Sequence, residues 1–157
     1  MDILIADIKD AEELTRVEIE SKLLSLSEII EPFEIDYDGR LYRWGTYFRG
    51  ESPQTSKPER IVFKAVIDGN ILGYIAGHLT TRYDKDVEIQ SFYILKEYQR
   101  KGLGKTLLSL FINWLKDNGA NSLCVGIWPD NPYKAFYLKH CGQYLNAHWI
   151  YWDDLNQ

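Results

Sequence analysis

The sequence is poor in the residues that build metal clusters, disulfide frameworks and membrane spans. Its 157 residues include only two cysteines and three histidines. Cys124 and Cys141 fall in apolar or helical segments, which favours free thiols in a reducing compartment. The histidines do not combine with the cysteines at zinc-site spacing, and no apolar run reaches about 18 residues. We therefore expect no metal site, no disulfide and no membrane partner.

Composition and charge indicate an ordinary soluble globular protein. The chain is 45% hydrophobic and 26% charged, with a net charge of −5, which argues against nucleic acid as a partner. Met1 to Leu4 enters a strand pattern directly, without a charged and then apolar leader, so we expect a cytoplasmic protein. The length predicts a single domain over residues 1–157.

Hydrophobic periodicity predicts alternating groups of strands and helices. An Asp10–Glu13 capping box is expected to start the first helix, with Leu14, Val17 and Leu24 on its buried side. Asp68-Gly69-Asn70 is a hairpin signal. Strands are predicted at 2–6, 61–67, 71–80, 87–95, 123–128 and 144–152, further helices at 38–50, 103–116 and 132–140, and a loop at 51–59. This order predicts a mixed α/β layer architecture.

The most informative segment is the loop Gln99-Arg100-Lys101-Gly102-Leu103-Gly104-Lys105-Thr106. It joins an apolar strand to a helix, and the free N–H groups and positive dipole of a helix start favour a phosphate. A nucleotide-triphosphate loop would need glycine at position 99, where Gln99 stands. A dinucleotide loop would need glycine at position 107, where Leu107 stands. The remaining pattern is Gln-x-x-Gly-x-Gly.

That pattern resembles the acetyl-CoA loop of the GNAT superfamily of N-acetyltransferases. Phe92-Tyr93-Ile94 is similar to the family's strand before the loop, and Asn131-Pro132 with Phe136-Tyr137 resembles its downstream motif. The resemblance covers roughly residues 60 to 145 and departs at Cys141-Gly142-Gln143. It implies an α/β fold with a central, mostly antiparallel sheet of about six to seven strands, a splayed parallel pair and about four flanking helices.

The resemblance implies acetyl-CoA as co-substrate, without a metal. Arg100, Lys101 and Lys105 are expected to contact its phosphates, although each could be a solvated basic rim. Asn131 is expected to hold the pantetheine arm, to cap the following helix, or both. The cofactor-binding residues expected in full are Phe92, Tyr93, Ile94, Gln99, Arg100, Lys101, Gly102, Leu103, Gly104, Lys105, Thr106 and Asn131.

Two catalytic residues are expected by the same resemblance. Tyr137 matches the tyrosine that donates to the leaving sulfur, with a core aromatic as the alternative. Glu88 lies 11 residues before Gln99, an offset at which some histone-acetylating members carry a catalytic glutamate. Without a bulge its side chain would share a strand face with Phe92. An exposed strand residue or a glutamate that attracts the substrate is the alternative, and His78 is a second candidate base.

The acceptor side is predicted to be aromatic. Tyr42, Trp44, Tyr47 and Trp128 are the expected substrate-binding residues, because aromatic faces attract alkylammonium groups; core packing or a homodimer interface is the alternative. We expect a primary amine acceptor: a small metabolite, a polyamine, an amine antibiotic or a peptide or lysine amine. A catalytically silent CoA-binding sensor and a nucleotide-binding protein are the rival hypotheses.

Overall fold

The computed structural model describes residues 1–26, 36–127, 131 and 133–155, with the side chains of residues 23–26 left out. The strands are β1 (Asp2–Ile5), β2 (Ser56–Ile67), β3 (Asn70–Thr80), β4 (Val87–Ile94), β5 (Leu123–Gly126), β6 (Gln143–Asn146) and β7 (Trp149–Trp152). The helices are α1 (Ala11–Leu26), α2 (Tyr37–Phe48), α3 (Leu103–Asp117) and α4 (Lys134–Lys139). Among these described helices, none has the length and apolarity that crossing a bilayer requires.

The strands form one seven-stranded sheet in the order β1-β2-β3-β4-β5-β7-β6. The β4–β5 pair is parallel, and the other pairs are antiparallel. The predicted α/β class and mostly antiparallel sheet with one parallel pair are therefore confirmed. The predicted hairpin joins β2 to β3, and positive φ angles at Asp68 (50°) and Gly69 (80°) give it the twist that suits paired strands.

The parallel pair splays apart in the middle of the sheet. Pairing between β4 and β5 runs from Val87 opposite Leu123 to Ile89 opposite Val125. Beyond Ile89, β4 continues to pair with β3 as far as Ile94. The edge of β4 that faces away from β3 is therefore without a ladder partner beyond Ile89 in the described part of the chain, which leaves a slot lined by backbone amides.

Two apolar cores lie on opposite faces of the sheet. On one face α3 buries Leu107, Phe111 and Leu115 completely against β3 and β4. On the other, α1 and α2 bury Leu14, Val17 and Trp44 among other apolar side chains. Helical periodicity predicted Leu14 and Val17 on the buried side of α1. The side chain of Leu24, the third residue predicted there, lies outside the described residues.

Three predicted boundaries were wrong. The capping box precedes α1: Asp7 accepts from Lys9 N at 2.8 Å and Asp10 from Asp7 N at 2.9 Å, while Glu13 accepts from Ile71 N at 3.0 Å. The segment 144–152 is a hairpin of β6 and β7, not one strand. The expected loop at 51–59 contains the start of β2, because a register shift between Ser56 and Arg60 accommodates Pro58.

Candidate active site

The glycine loop ends in an open helix start. Gly102 precedes α3 with φ 85°, a left-handed conformation that glycine adopts without strain. The first hydrogen bond of the helix runs from Thr106 N to Gly102 O at 3.1 Å. The N–H groups of residues 103–105 come before that bond, so they and the helix dipole are oriented to receive an anion.

Gln99 fixes this loop to its neighbours. Its side-chain amide donates to Ile94 O at 2.8 Å and to Tyr133 Oη at 3.1 Å. One side chain thus joins the end of β4, the glycine loop and the start of α4. Its amide N–H groups are occupied, so Gln99 shapes the loop through these two bonds.

A cleft of about 610 Å³ opens at the loop and carries positive charge. Arg100, Lys105 and Lys139 supply the cations, and His140 lies among them. Burial, followed by the charges of Lys139 and Lys105, lowers the pKa of His140. The lining residues are Phe92, Ile94, Gln99, Arg100, Gly102, Gly104, Lys105, Tyr133, Phe136, Tyr137, Lys139 and His140. We call this the loop cleft; its charge fits a polyphosphate.

A second cavity of about 680 Å³ lies where β4 and β5 separate. Its walls come from α1, α2, β4, β5 and the start of α4, and its charged residues include Glu18, which is paired with Arg40 at 2.7 Å. We call it the splay cavity. It shares three wall residues with the loop cleft, namely Phe92, Tyr133 and Tyr137. The two spaces therefore adjoin at these three aromatic side chains.

Tyr137 is buried at that junction. It is 5% exposed and contacts Phe136 and Trp152 edge-to-face, with ring centroids 5.9 Å away in each case. Burial raises the pKa of Tyr137 far above its ordinary value. Its hydroxyl therefore keeps its proton at physiological pH and is a hydrogen-bond donor there.

Glu88 does not share a face with Phe92, as the unbulged strand predicted. Ala76 pairs with Ser91 and Gly77 with Ile89, so Gln90 is an extra residue that reverses the alternation. Glu88 consequently lies on the α1/α2 side, 6% exposed, and accepts from Arg82 Nε at 2.7 Å. It is not among the residues that line either cavity, which removes geometric support for direct proton abstraction by Glu88.

The other expected cofactor residues fall into distinct settings. Leu103 is a core side chain, 5% exposed. Lys101 lies over the Tyr98 ring at 5.8 Å, and the Thr106 hydroxyl donates to Gly102 O at 3.0 Å. Asn131 Oδ1 accepts from Tyr133 N at 2.7 Å while lining the splay cavity. Tyr93 lines the splay cavity too.

The expected substrate-binding aromatics belong partly to the core. Trp44 and Tyr47 are 5% and 3% exposed, yet both line the splay cavity. Tyr42 lines it as well and is 69% exposed. Trp128 lies outside the described residues. Core packing and cavity lining therefore coexist in α2.

Sequence reasoning missed four lining residues near α4. Tyr133, Phe136, Lys139 and His140 line the loop cleft, and Tyr133 lines both spaces. Three of these belong, with Tyr137, to the i, i+3, i+4, i+7 pattern of 133, 136, 137 and 140, which predicts one helical face. That pattern was available in the sequence as a signal.

The loop cleft and the splay cavity can hold two molecules side by side. A donor with a phosphate tail can bind at the start of α3 while a second molecule occupies the splay cavity. The two would meet beside Tyr137, which is the arrangement of a group-transfer enzyme with a nucleotide-type donor.

Comparison with known proteins identifies the family. A sequence model of the acetyltransferase (GNAT) family matches residues 23–143. The chain therefore belongs to this family and is an acetyl-CoA-dependent N-acetyltransferase. It is 29% identical over 138 residues to the uncharacterized N-acetyltransferase YuaI of Bacillus subtilis (strain 168), covering 86% of this chain and 76% of the relative.

Solved structures share the fold. The PaiA N-acetyltransferase of Thermoplasma acidophilum, in complex with coenzyme A, matches with a TM-score of 0.73 and 21% identity, covering 96% and 98% of the two chains. An acetyltransferase of Thermus thermophilus matches with a TM-score of 0.74 and 22% identity, covering 97% and 96%.

Proposed function

We propose that this protein transfers the acetyl group of acetyl-CoA directly to a primary amine on a small molecule. The observation that carries the proposal is the junction of two cavities at Phe92, Tyr133 and Tyr137. A donor in one space and an acceptor in the other can react there without an intermediate on the protein.

The loop cleft is the proposed donor site. Arg100, Lys105 and Lys139 offset the charge of the donor's phosphates, and the N–H groups at the start of α3 bind the pyrophosphate. The coenzyme supplies an acetyl thioester. The pantetheine arm is proposed to run from the loop cleft along the unpaired edge of β4 beyond Ile89. It would occupy the β4 side of the splay cavity and leave the side lined by α1 and α2 to the acceptor.

The splay cavity is the proposed acceptor site. Its volume of about 680 Å³ lies within the range of small-molecule sites, about 300–1,000 Å³. Tyr42, Trp44 and Tyr47 contribute aromatic surface that attracts an alkylammonium. A small metabolite or polyamine therefore fits the described walls.

Tyr137 is proposed to assist departure of the sulfur. The neutral amine attacks the thioester carbon, a C–N bond forms and the C–S bond breaks. The ammonium loses two protons in total: one leaves before attack, and one ends on the departing thiolate. Tyr137 donates a hydrogen bond to that sulfur, and its high pKa keeps the donor in place.

The test is thiol release from acetyl-CoA across a panel of small amines, with the acetylated product identified by mass. The expected result is release that requires a primary amine, with a matched tertiary amine inactive. Binding of coenzyme A without thiol release for any amine would instead support the silent sensor. Acceptor-independent hydrolysis at the same rate would also contradict the proposal.

A further inference from the structure

A buried histidine links the wall of the splay cavity to Glu88. His78, on β3, is completely buried. Its Nδ1 is 3.0 Å from the Tyr47 hydroxyl, and its Nε2 is 3.8 Å from Glu88 Oε1. Nε2 has no hydrogen-bond partner within the part of the chain that the structure describes. Tyr47 itself lines the cavity.

The charges around His78 determine where its proton lies. Glu88 is fixed by Arg82, whose Nε donates to Oε1 at 2.7 Å. The carboxylate faces Nε2, so the neutral ring is most stable with its proton on Nε2. Nδ1 then presents a lone pair, and the Tyr47 hydroxyl must be the donor in the 3.0 Å hydrogen bond.

Among the residues that the structure describes, Glu88 is the carboxylate paired with the His78 ring. On β2, the Arg60 guanidinium lies 4.8 Å from the centre of the Tyr47 ring. On β5, Cys124 is opposite Glu88 in the sheet, and burial raises the pKa of its thiol to about 12. Cys124 therefore stays neutral. Glu88 therefore places a negative charge beside the His78 ring, and Arg82 and Arg60 place positive charges nearby.

Building on the acetyl transfer to an amine proposed above, we propose that Tyr47, His78 and Glu88 form a proton relay that deprotonates the acceptor. The ammonium gives one proton to Tyr47 Oη while the Tyr47 hydroxyl proton moves to His78 Nδ1. The neutral amine then attacks, and His78 later returns its proton to solvent by the same route. Tyr47 touches the substrate, and His78 and Glu88 act through it.

In the relay, an ion-paired and buried Glu88 would contribute to catalysis without touching the substrate. Direct abstraction by Glu88 would require it to reach the cavity and to lose the Arg82 pairing. In the relay it stays paired, orients the His78 ring and stabilises the imidazolium. The alternative is a histidine that only fills the core, which predicts no change in pH dependence when it is replaced.

The first readout does not depend on turnover. The chain has three histidines, so the His78 signals in ¹⁵N-histidine NMR spectra are identified by their loss in His78→Gln. The relay predicts that the neutral His78 ring carries its proton on Nε2. A proton on Nδ1 would overturn it, because Nδ1 could not accept from Tyr47.

The second readout is the pH dependence of kcat/KM for an amine that the wild type accepts. Tyr47→Phe and His78→Gln should each lower kcat/KM about 100-fold near pH 7. The loss should shrink toward the amine's own pKa of roughly 10, where the substrate no longer needs a base. Glu88→Gln should change the profile in the same direction, because the imidazolium loses its counter-charge.

Tyr74→Phe is the matched control. Tyr74 is completely buried and its hydroxyl is 2.7 Å from Ser91 Oγ, so the variant loses one buried tyrosine hydrogen bond outside the relay. It should keep the wild-type profile. A folded, active Tyr47→Phe variant with an unchanged profile would overturn the relay alone. An inactive wild type on every amine would overturn the proposed function and the relay with it.

Discussion

One added methyl group at Gly102 tests the geometry of the glycine loop, residues 99–106. Gly102 has φ 85°, and a Cβ built there has no atom within 4 Å. Gly102→Ala therefore introduces no clash. Its cost is the left-handed conformation of a residue with a Cβ, about 1–2 kcal/mol.

That cost can lower either the free energy of unfolding or the affinity for coenzyme A. If the free loop keeps its conformation, the free energy of unfolding falls by about 1–2 kcal/mol and affinity for coenzyme A is unchanged. If the exposed free loop relaxes, binding must restore the strained conformation, and affinity falls about 5- to 30-fold, at about 1.4 kcal/mol per factor of ten. We expect the second result, because Gly102 lies on the protein surface.

The assay combines urea unfolding with calorimetric titration of coenzyme A. Gly119→Ala is the matched control: Gly119 follows the other end of α3 with φ 74° and also has no atom within 4 Å of a built Cβ. It should lose at most about 1–2 kcal/mol of stability and keep full affinity, because it lies at the end of α3 away from the loop. The reasoning is refuted if Gly102→Ala changes neither the free energy of unfolding nor the affinity for coenzyme A. It is also refuted if Gly119→Ala weakens coenzyme A binding as much as Gly102→Ala does.

Three further predictions concern the junction and the loop cleft. Tyr137→Phe should lower kcat about 100-fold with little change in coenzyme A affinity, measured by steady-state kinetics and titration; undiminished turnover would exclude it from the mechanism. Coenzyme A phosphates should raise the lowered pKa of His140. The wild type should therefore take up more protons than His140→Gln when it binds coenzyme A at about pH 6, which calorimetry in buffers of different ionisation heat would measure. The affinity of the wild type for coenzyme A should also rise as the pH falls through the titration of His140. Equal uptake would contradict this coupling. Gln99→Met removes two hydrogen bonds and should cost about 1–3 kcal/mol of stability and weaken coenzyme A binding; unchanged binding would show that the loop holds its shape without them.

Local sequence signals predicted the strand, the glycine turn and the helix that surround the loop cleft. The glycine pattern, the strand before it and the helix after it are set by short-range spacing, and Gly102, Gly104 and Lys105 do line the loop cleft. Helical periodicity also predicted Leu14 and Val17 on the buried side of α1. These features depend on neighbouring residues, which a sequence displays directly.

Long-range features were harder to predict. The bulge at Gln90 depends on register with β3, and it moved Glu88 to the face opposite Phe92. A turn after Asn146 divides the expected final strand into β6 and β7. The Asn146 side chain stabilises this turn by accepting a hydrogen bond from His148 N at 2.8 Å. The His78–Tyr47 contact joins residues 31 positions apart, so no local pattern indicates it.

Direct transfer at the junction of the two cavities is the central claim, and initial-rate kinetics test it most directly. With acetyl-CoA and an accepted amine both varied, double-reciprocal plots should intersect, because both molecules must be bound together. Mass spectrometry should find no acetylated protein after incubation with acetyl-CoA alone. Parallel lines together with a stable, kinetically competent acetyl-protein would contradict the account.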